Sequence, residues 1–247
     1  MAAMLRFEQG VQTHAGAVRK INEDAYLAHS LDGLWAVADG MGGHLRGQWA
    51  SSTIIRALDL AVLPQGFDAA VASVVAALEF ANDEIFQAAW AAGGAIGSTV
   101  VVLLIRAGRY AVLWAGDSRV YRCRGRELMP LTTDHSQVEQ MIARGFLDRS
   151  EADNHPMAHV LSRAVGVRDR LALDRVEGEV EAGDVFLLCS DGLSRIVDAL
   201  EIRRLMIDEP PRAVACHLLD LSLNRGAPDN VTVVVVGCDA TTQVDLL

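Results

Sequence analysis

The sequence predicts an α+β protein in which antiparallel sheets are covered by pairs of helices. Short β-branched and apolar runs of strand length recur at residues 98–105, 110–115, 120–124, 185–189 and 231–237. Neighbouring runs are joined by tight turns, as in hairpins and meanders. Helical patterns come in pairs between these groups, where a doubly wound parallel sheet would alternate single helices with single strands.

Taken in order, a first strand is expected over 6–13. It leads to Asp24-Ala25-Tyr26-Leu27-Ala28-His29 and then to an apolar run ending at Asp39. Ile54, Ile55, Leu58 and Val62 share one helical face, predicting a helix over 47–63 that Pro64 and Gly66 end. Val71, Val74, Val75, Leu78, Ile85 and Phe86 continue a helical period over 67–92, until Gly93-Gly94 breaks it. Strands at 98–105, 110–115 and 120–124 form a meander, with Ala107-Gly108 as a hairpin turn. A helix follows at 137–143. Residues 145–170 are polar, contain His155-Pro156 and keep no period; so long a loop is a candidate functional lid. Strands at 171–176 and 185–189, helices at 198–207 and 211–223, and a strand at 231–237 complete the chain.

With 51% hydrophobic and 22% charged residues among 247, the composition is that of an ordinary globular protein. No solenoid repeat or low-complexity linker divides it, so one domain over 1–247 is expected. A formal net charge of -10 argues against grip on nucleic acid or on an anionic membrane, both of which need a basic patch. Cys123, Cys189, Cys216 and Cys238 are scattered without C-x-x-C spacing, which favours neither a disulfide framework nor a thiolate zinc site. The N-terminal residues lack the apolar core of a secretory signal, and no run approaches the roughly 18 apolar residues of a membrane span. A cytoplasmic monomer is expected.

Four apolar runs carry an aspartate at one end. Leu34-Trp35-Ala36-Val37-Ala38 runs into Asp39-Gly40, Ala111-Val112-Leu113-Trp114-Ala115-Gly116 into Asp117-Ser118, and Val185-Phe186-Leu187-Leu188-Cys189-Ser190 into Asp191-Gly192; Asp229-Asn230 precedes Val231-Thr232-Val233-Val234-Val235-Val236. Carboxylates gathered at strand ends repel one another and are costly to desolvate singly. If the four ends meet, one or two divalent cations are the simplest compensation. A donor set of oxygens suits Mn²⁺ or Mg²⁺ and not Zn²⁺.

Six segments occur in order: Arg19-Lys20-Ile21-Asn22-Glu23-Asp24, Asp39-Gly40-Met41-Gly42-Gly43-His44, Gly97-Ser98-Thr99, Gly116-Asp117-Ser118-Arg119, Ser190-Asp191-Gly192 and Asp229-Asn230-Val231-Thr232. Together they resemble the metal-dependent Ser/Thr protein phosphatases of the 2C type, in their compact bacterial form, over about residues 7–237. The resemblance implies a four-layer α-β-β-α sandwich with a two-metal centre in a cleft at one end. On that reading Asp39 bridges both metals, Gly40 offers its carbonyl to one, and Asp191 and Asp229 bind the other. Asp117 with Asp191 holds a weaker third ion, Asp24 supports the second metal through water with Glu23 as its neighbour, and Arg19 grips the substrate phosphate.

Two hard cations a few ångströms apart supply hydroxide near neutral pH, which can attack phosphorus in line without a nucleophilic side chain. His44 is a candidate general acid for the leaving alkoxide. The implied activity is hydrolysis of phosphoserine and phosphothreonine in phosphorylated proteins, opposing a Ser/Thr kinase. Two other readings stay open: a catalytically inactive relative that binds phosphoproteins, and a two-metal hydrolase of another phosphomonoester. Asp134 is read as a helix cap, Gly97-Ser98-Thr99 as the entry to a buried strand, and Ser162-Arg163-Ala164-Val165-Gly166 as the end of a flap. Gly47-Gln48 stands where many relatives carry Gly-Glu.

Overall fold

Trp35 and Val37 point to one face of their strand and Ala36 and Ala38 to the other, and both faces are buried. A strand buried on both sides needs a layer above and a layer below, and the fold supplies them. The computed structural model describes residues 5–43, 45–158 and 160–240. Within these residues one sheet is built from β1 (Leu5–His14), β11 (Val231–Ala240), β10 (Val185–Cys189), β7 (Arg119–Arg124) and β8 (Glu127–Pro130), in that order. The second runs β2 (Asp24–His29), β3 (Leu34–Met41), β5 (Val100–Arg106), β6 (Arg109–Ala115) and β9 (Asp174–Glu179), with the short β4 (Gly97–Ser98) beside β3. Every pairing is antiparallel.

The sheets face each other across Trp35, Val37, Val101, Leu103, Val112, Phe186, Leu188, Val234 and Val236. Trp35 is fully buried, meets Phe7 edge-on at 5.2 Å between ring centres, and donates its indole N–H to Gln9 Oε1 at 2.7 Å, so its one polar atom is satisfied. Helices α1 (Leu45–Asp59) and α2 (Phe67–Ala92) cover the outer face of the second sheet through Ile54, Leu58, Val74, Leu78 and Ile85. Helices α4 (Asp191–Ser194), α5 (Ala199–Asp208) and α6 (Pro211–Asn224) cover the first through Leu193, Ile202, Met206, Val214 and Leu218. This is the expected α-β-β-α sandwich.

Local signals explain most element boundaries. Ala107 and Gly108 both have positive φ, 52° and 74°, forming the tight turn that joins β5 to β6. Gly93, in the left-handed region at φ 62°, stops α2. Asp198 caps α5 by accepting from the N–H groups of Leu200 and Glu201.

Several expectations need correcting. Helix α1 ends at Asp59, not at residue 63: its last turn closes through Leu60 N–H to Arg56 O and Ala61 N–H to Leu58 O. Leu60 and Val62 are exposed, while Leu63 packs against the helix-side core from beyond the helix end. The strand expected at 171–176 is β9, starting at Asp174; Leu171 and Leu173 instead pack against the helix-side core. Strands β8 and β9 form sheet edges, and their charged residues, which discourage edge-to-edge association, hide the usual apolar signal. The cap of helix α3 (Gln137–Ala143) is Ser136, whose hydroxyl accepts from Glu139 N–H; Asp134 instead takes a two-pronged ion pair from Arg119 at 2.9 and 2.7 Å.

The polar segment after α3 carries a 3-10 turn (Arg149–Asn154) and is tied back at its far end. Leu161 bridges to Ser136, Val165 to Ser98, and Asn82 on α2 donates to Arg168 O and accepts from Gly166 N–H.

Candidate active site

The alternation that places Trp35 and Val37 between the sheets also turns Asp39 inward, at the point where β3 leaves the apolar layer. Asp24 lies directly opposite Asp39 in the β2–β3 register. On the facing sheet, Val236 and Val234 are followed inward by Thr232, and β10 leads into Ser190 and Asp191. One end of the inter-sheet layer therefore changes from apolar to acidic along four strands.

Asp24 spans the two sheets. Its Oδ2 accepts from Ser190 Oγ at 2.8 Å and from Thr232 Oγ1 at 2.7 Å, while its buried Oδ1 has no protein hydrogen bond. Behind it runs a relay in which Asn22 Nδ2 donates to Thr13 Oγ1, itself 2.8 Å from Thr232 Oγ1. Burial is the main cause that lifts the Asp24 carboxyl to about 7, with the charges of Asp191 and Asp229 adding to it and the two hydroxyls opposing. Asp117 is also raised to about 7, by burial and then by Asp191, against the pull of Arg195. Asp39 is held well above the usual carboxylate range by burial and by Asp24, Asp191, Asp117 and Asp229 together. The structure thus brings all five aspartates into one electrostatic neighbourhood.

Backbone contacts fix this end. Thr99 N–H donates to Asp39 O at 2.8 Å, Asp39 N–H donates to Thr99 Oγ1, and Ser98 Oγ also donates to Asp39 O. Gly97-Ser98-Thr99 is thus the clamp on the Asp39 main chain, in keeping with its reading as a strand entry. Gly40 must be glycine for a close approach: a Cβ there would lie 2.1 Å from Gly47 O on α1. Gly47 is confined in turn, since its own Cβ would fall 2.2 Å from the Glu23 carboxylate.

Arg19 lies at the rim, exposed, with Nη2 2.9 Å from Asp229 Oδ2. Asn230 ties its loop to β11, accepting from Glu23 N–H and donating to Ala15 O and Ile21 O. His44 lies outside the described residues. No three His, Cys, Asp or Glu side chains among the described residues form a ready-made metal cage.

The protein phosphatase 2C family model matches residues 12–219. The chain belongs to the protein phosphatase 2C family. Among family members, the Ser/Thr protein phosphatase PstP of Mycobacterium tuberculosis is 35% identical over 89% of this chain, which spans only 43% of that relative. PppA, a key regulatory component of T6SS in Pseudomonas aeruginosa, superposes with a TM-score of 0.88 at 41% identity, covering 94% of this chain and 97% of its own. The catalytic domain of PstP in complex with 2 manganese ions superposes with a TM-score of 0.86 at 32% identity, covering 96% of this chain and all of that domain, 100%.

Sequence reasoning did not single out Arg195 or the hydroxyls of Ser190 and Thr232. The hydroxyls stood within quoted motifs, and their alternation with inward-facing residues was the available signal. For Arg195 the available signal was its i,i+4 spacing from Asp191; its reach across to Asp117 had no local signature.

Proposed function

We propose that this chain is a Mn²⁺- or Mg²⁺-dependent protein phosphatase acting on phosphoserine and phosphothreonine, with residues 1–247 forming one catalytic domain. The observation that carries the reading is the acidic end of the inter-sheet layer. It gathers oxygen donors alone, which fits hard cations, and Asp24 Oδ1 is a buried acceptor that lacks a protein donor.

Asp39, the Gly40 carbonyl, Asp191 and Asp229 would hold two ions, with Asp24 supporting through water and Asp117 with Asp191 offering a weaker third position. When bound, such ions supply hydroxide near neutral pH and neutralise charge on the phosphoryl oxygens. The chain's own residues orient the ester. Arg19 keeps one nitrogen on Asp229, and the rest of its planar fork is open at the rim to take two phosphate oxygens. Gly97-Ser98-Thr99 and Asn230 hold the main chain around Asp39 and Arg19, so the groups meet the substrate already positioned. The substrates would be phosphorylated proteins, and the physiological counterpart a Ser/Thr kinase.

Phosphate release from a phosphothreonine peptide, followed with Mn²⁺, with Mg²⁺ and with chelator, tests the proposal. Turnover is expected with either ion and should stop in chelator. Undiminished turnover in chelator would reject it.

A further inference from the structure

Arg195 follows α4 and folds back over it. A single nitrogen, Nη2, lies 2.6 Å from Asp191 Oδ2 and 3.0 Å from Asp117 Oδ2. One donor shared by two carboxylates marks the place where the pair would share a cation. The nearby Arg119 is engaged elsewhere, with Nε and Nη2 on the two oxygens of Asp134. Arg195 is therefore the guanidinium that serves the Asp117–Asp191 pair. Its side chain is 36% exposed and lines an open cavity of about 410 Å³ that Asp117, Asp191, Ser194 and Arg119 also border. It has somewhere to go.

We propose that Arg195 is a built-in competitor for the weak third cation position, so that a divalent ion is held between Asp117 and Asp191 only after the guanidinium has swung into the adjoining cavity. The inference rests on the metal-centre reading above and adds a regulator to it. Two charge-assisted hydrogen bonds must break for the exchange. The guanidinium recovers part of their strength from water in the cavity, and the ion supplies twice its charge to the same carboxylates. The third position should therefore fill only at high metal concentration. Arg195 reaches the two tighter positions only through Asp191 and makes no ion pair with Asp39 or Asp229, so those positions should fill first.

Manganese binding to the full chain, read from free Mn²⁺ by electron paramagnetic resonance in equilibrium dialysis, decides this without any assay of activity. The wild-type protein should show two tight steps and one weak one. Arg195→Gln should tighten the weak step by about tenfold, the loss of roughly one charged hydrogen bond, and leave the first two in place. Arg195→Lys, which keeps a cation on a flexible stem, should leave the third step weak. Adding Asp117→Asn to Arg195→Gln should remove the tightened step.

A third step of equal strength in wild type and Arg195→Gln would overturn the competition, as would a uniform shift of all three steps. A wild-type protein that binds no Mn²⁺ would fail differently, by removing the metal centre itself. A variant that lost the two tight steps along with the third would mean that Arg195 supports the whole centre, against the proposal.

Discussion

Asp184 precedes strand β10 and Asp191 follows it, so one five-residue strand carries an acidic residue beyond each end. At the Asp184 end, Arg124 Nε and Nη2 lie 2.7 Å from the two carboxylate oxygens, Glu181 N–H adds a bond at 2.9 Å, and Arg124 also donates to Glu179 O and pairs with Glu181. The buried charge is matched atom by atom with a fork of opposite sign. At the other end, Asp24, Asp39, Asp117, Asp191 and Asp229 share Arg195 and Arg19, and Asp24 Oδ1 has no protein donor at all. Burial that is compensated within the chain builds structure; Asp24 Oδ1, buried without a protein donor, is what the proposed metal centre would answer. The contrast separates a folding residue from a functional one better than burial alone.

The sharpest way to break this contrast is to remove a charge at each end. Asp39→Asn should lower turnover of a phosphothreonine peptide with Mn²⁺ by more than about 100-fold, since changes to outer-shell partners of metal ligands alone cost 10–100-fold. In chelator the same variant should melt no lower than wild type, because it relieves repulsion among the carboxylates that push Asp39 up. A lower melting temperature in chelator would mean that Asp39 is a structural group like Asp184.

Asp184→Asn should do the reverse. It breaks a buried ion pair and leaves the Arg124 fork facing a neutral amide, an expected loss of about 3 kcal/mol in denaturant unfolding. Turnover per folded molecule should stay at the wild-type level, measured below the unfolding transition. A large fall in kcat with intact folding would show that the two ends of β10 are coupled and that Asp184 is not a purely structural group.

How much of this was legible beforehand follows from the range of the interactions. Asp39 could be found because period-2 alternation is local: once Trp35 and Val37 face inward, Asp39 must too. Asp191 and Asp229 stood at the ends of runs too apolar to be anything but buried strands. Edge strand β8 escaped because its residues meet solvent on one side, and edge strand β9 was expected but placed three residues too early, on the apolar Leu171 and Leu173. The Arg124–Asp184 knot and the Arg119–Asp134 pair escaped for another reason. They join residues 60 and 15 positions apart, and no local pattern says which arginine finds which aspartate. Asp134 and Ser136 are both good caps, and only the location of Arg119 decides between them.

Arg19→Ala sharpens the comparison at the rim. Losing the whole of a solvent-exposed two-point contact should raise KM for a phosphopeptide at least roughly tenfold, with a smaller change in kcat. Unchanged KM would leave Arg19 as nothing more than the partner of Asp229.

Proton release gives the smallest signal and the most direct one. Asp24 and Asp117 titrate at about 7, so at pH 6 both are mostly protonated, and at pH 8 mostly ionised. In the metal-free protein these folded-state values exceed the unfolded ones. Between about pH 4 and 7 the native state then binds more protons than the unfolded chain, and their contribution to stability falls as pH rises through that window. A divalent ion reverses the preference by favouring the ionised carboxylates. Calorimetric titration with Mn²⁺ in two buffers of different ionisation enthalpy should therefore show more protons released at pH 6 than at pH 8, where Asp24 and Asp117 are already mostly ionised. Heats that do not depend on buffer at pH 6 would mean that the cluster is already ionised without metal. Asp24 would then be as fully compensated as Asp184, and the two ends of β10 would no longer differ.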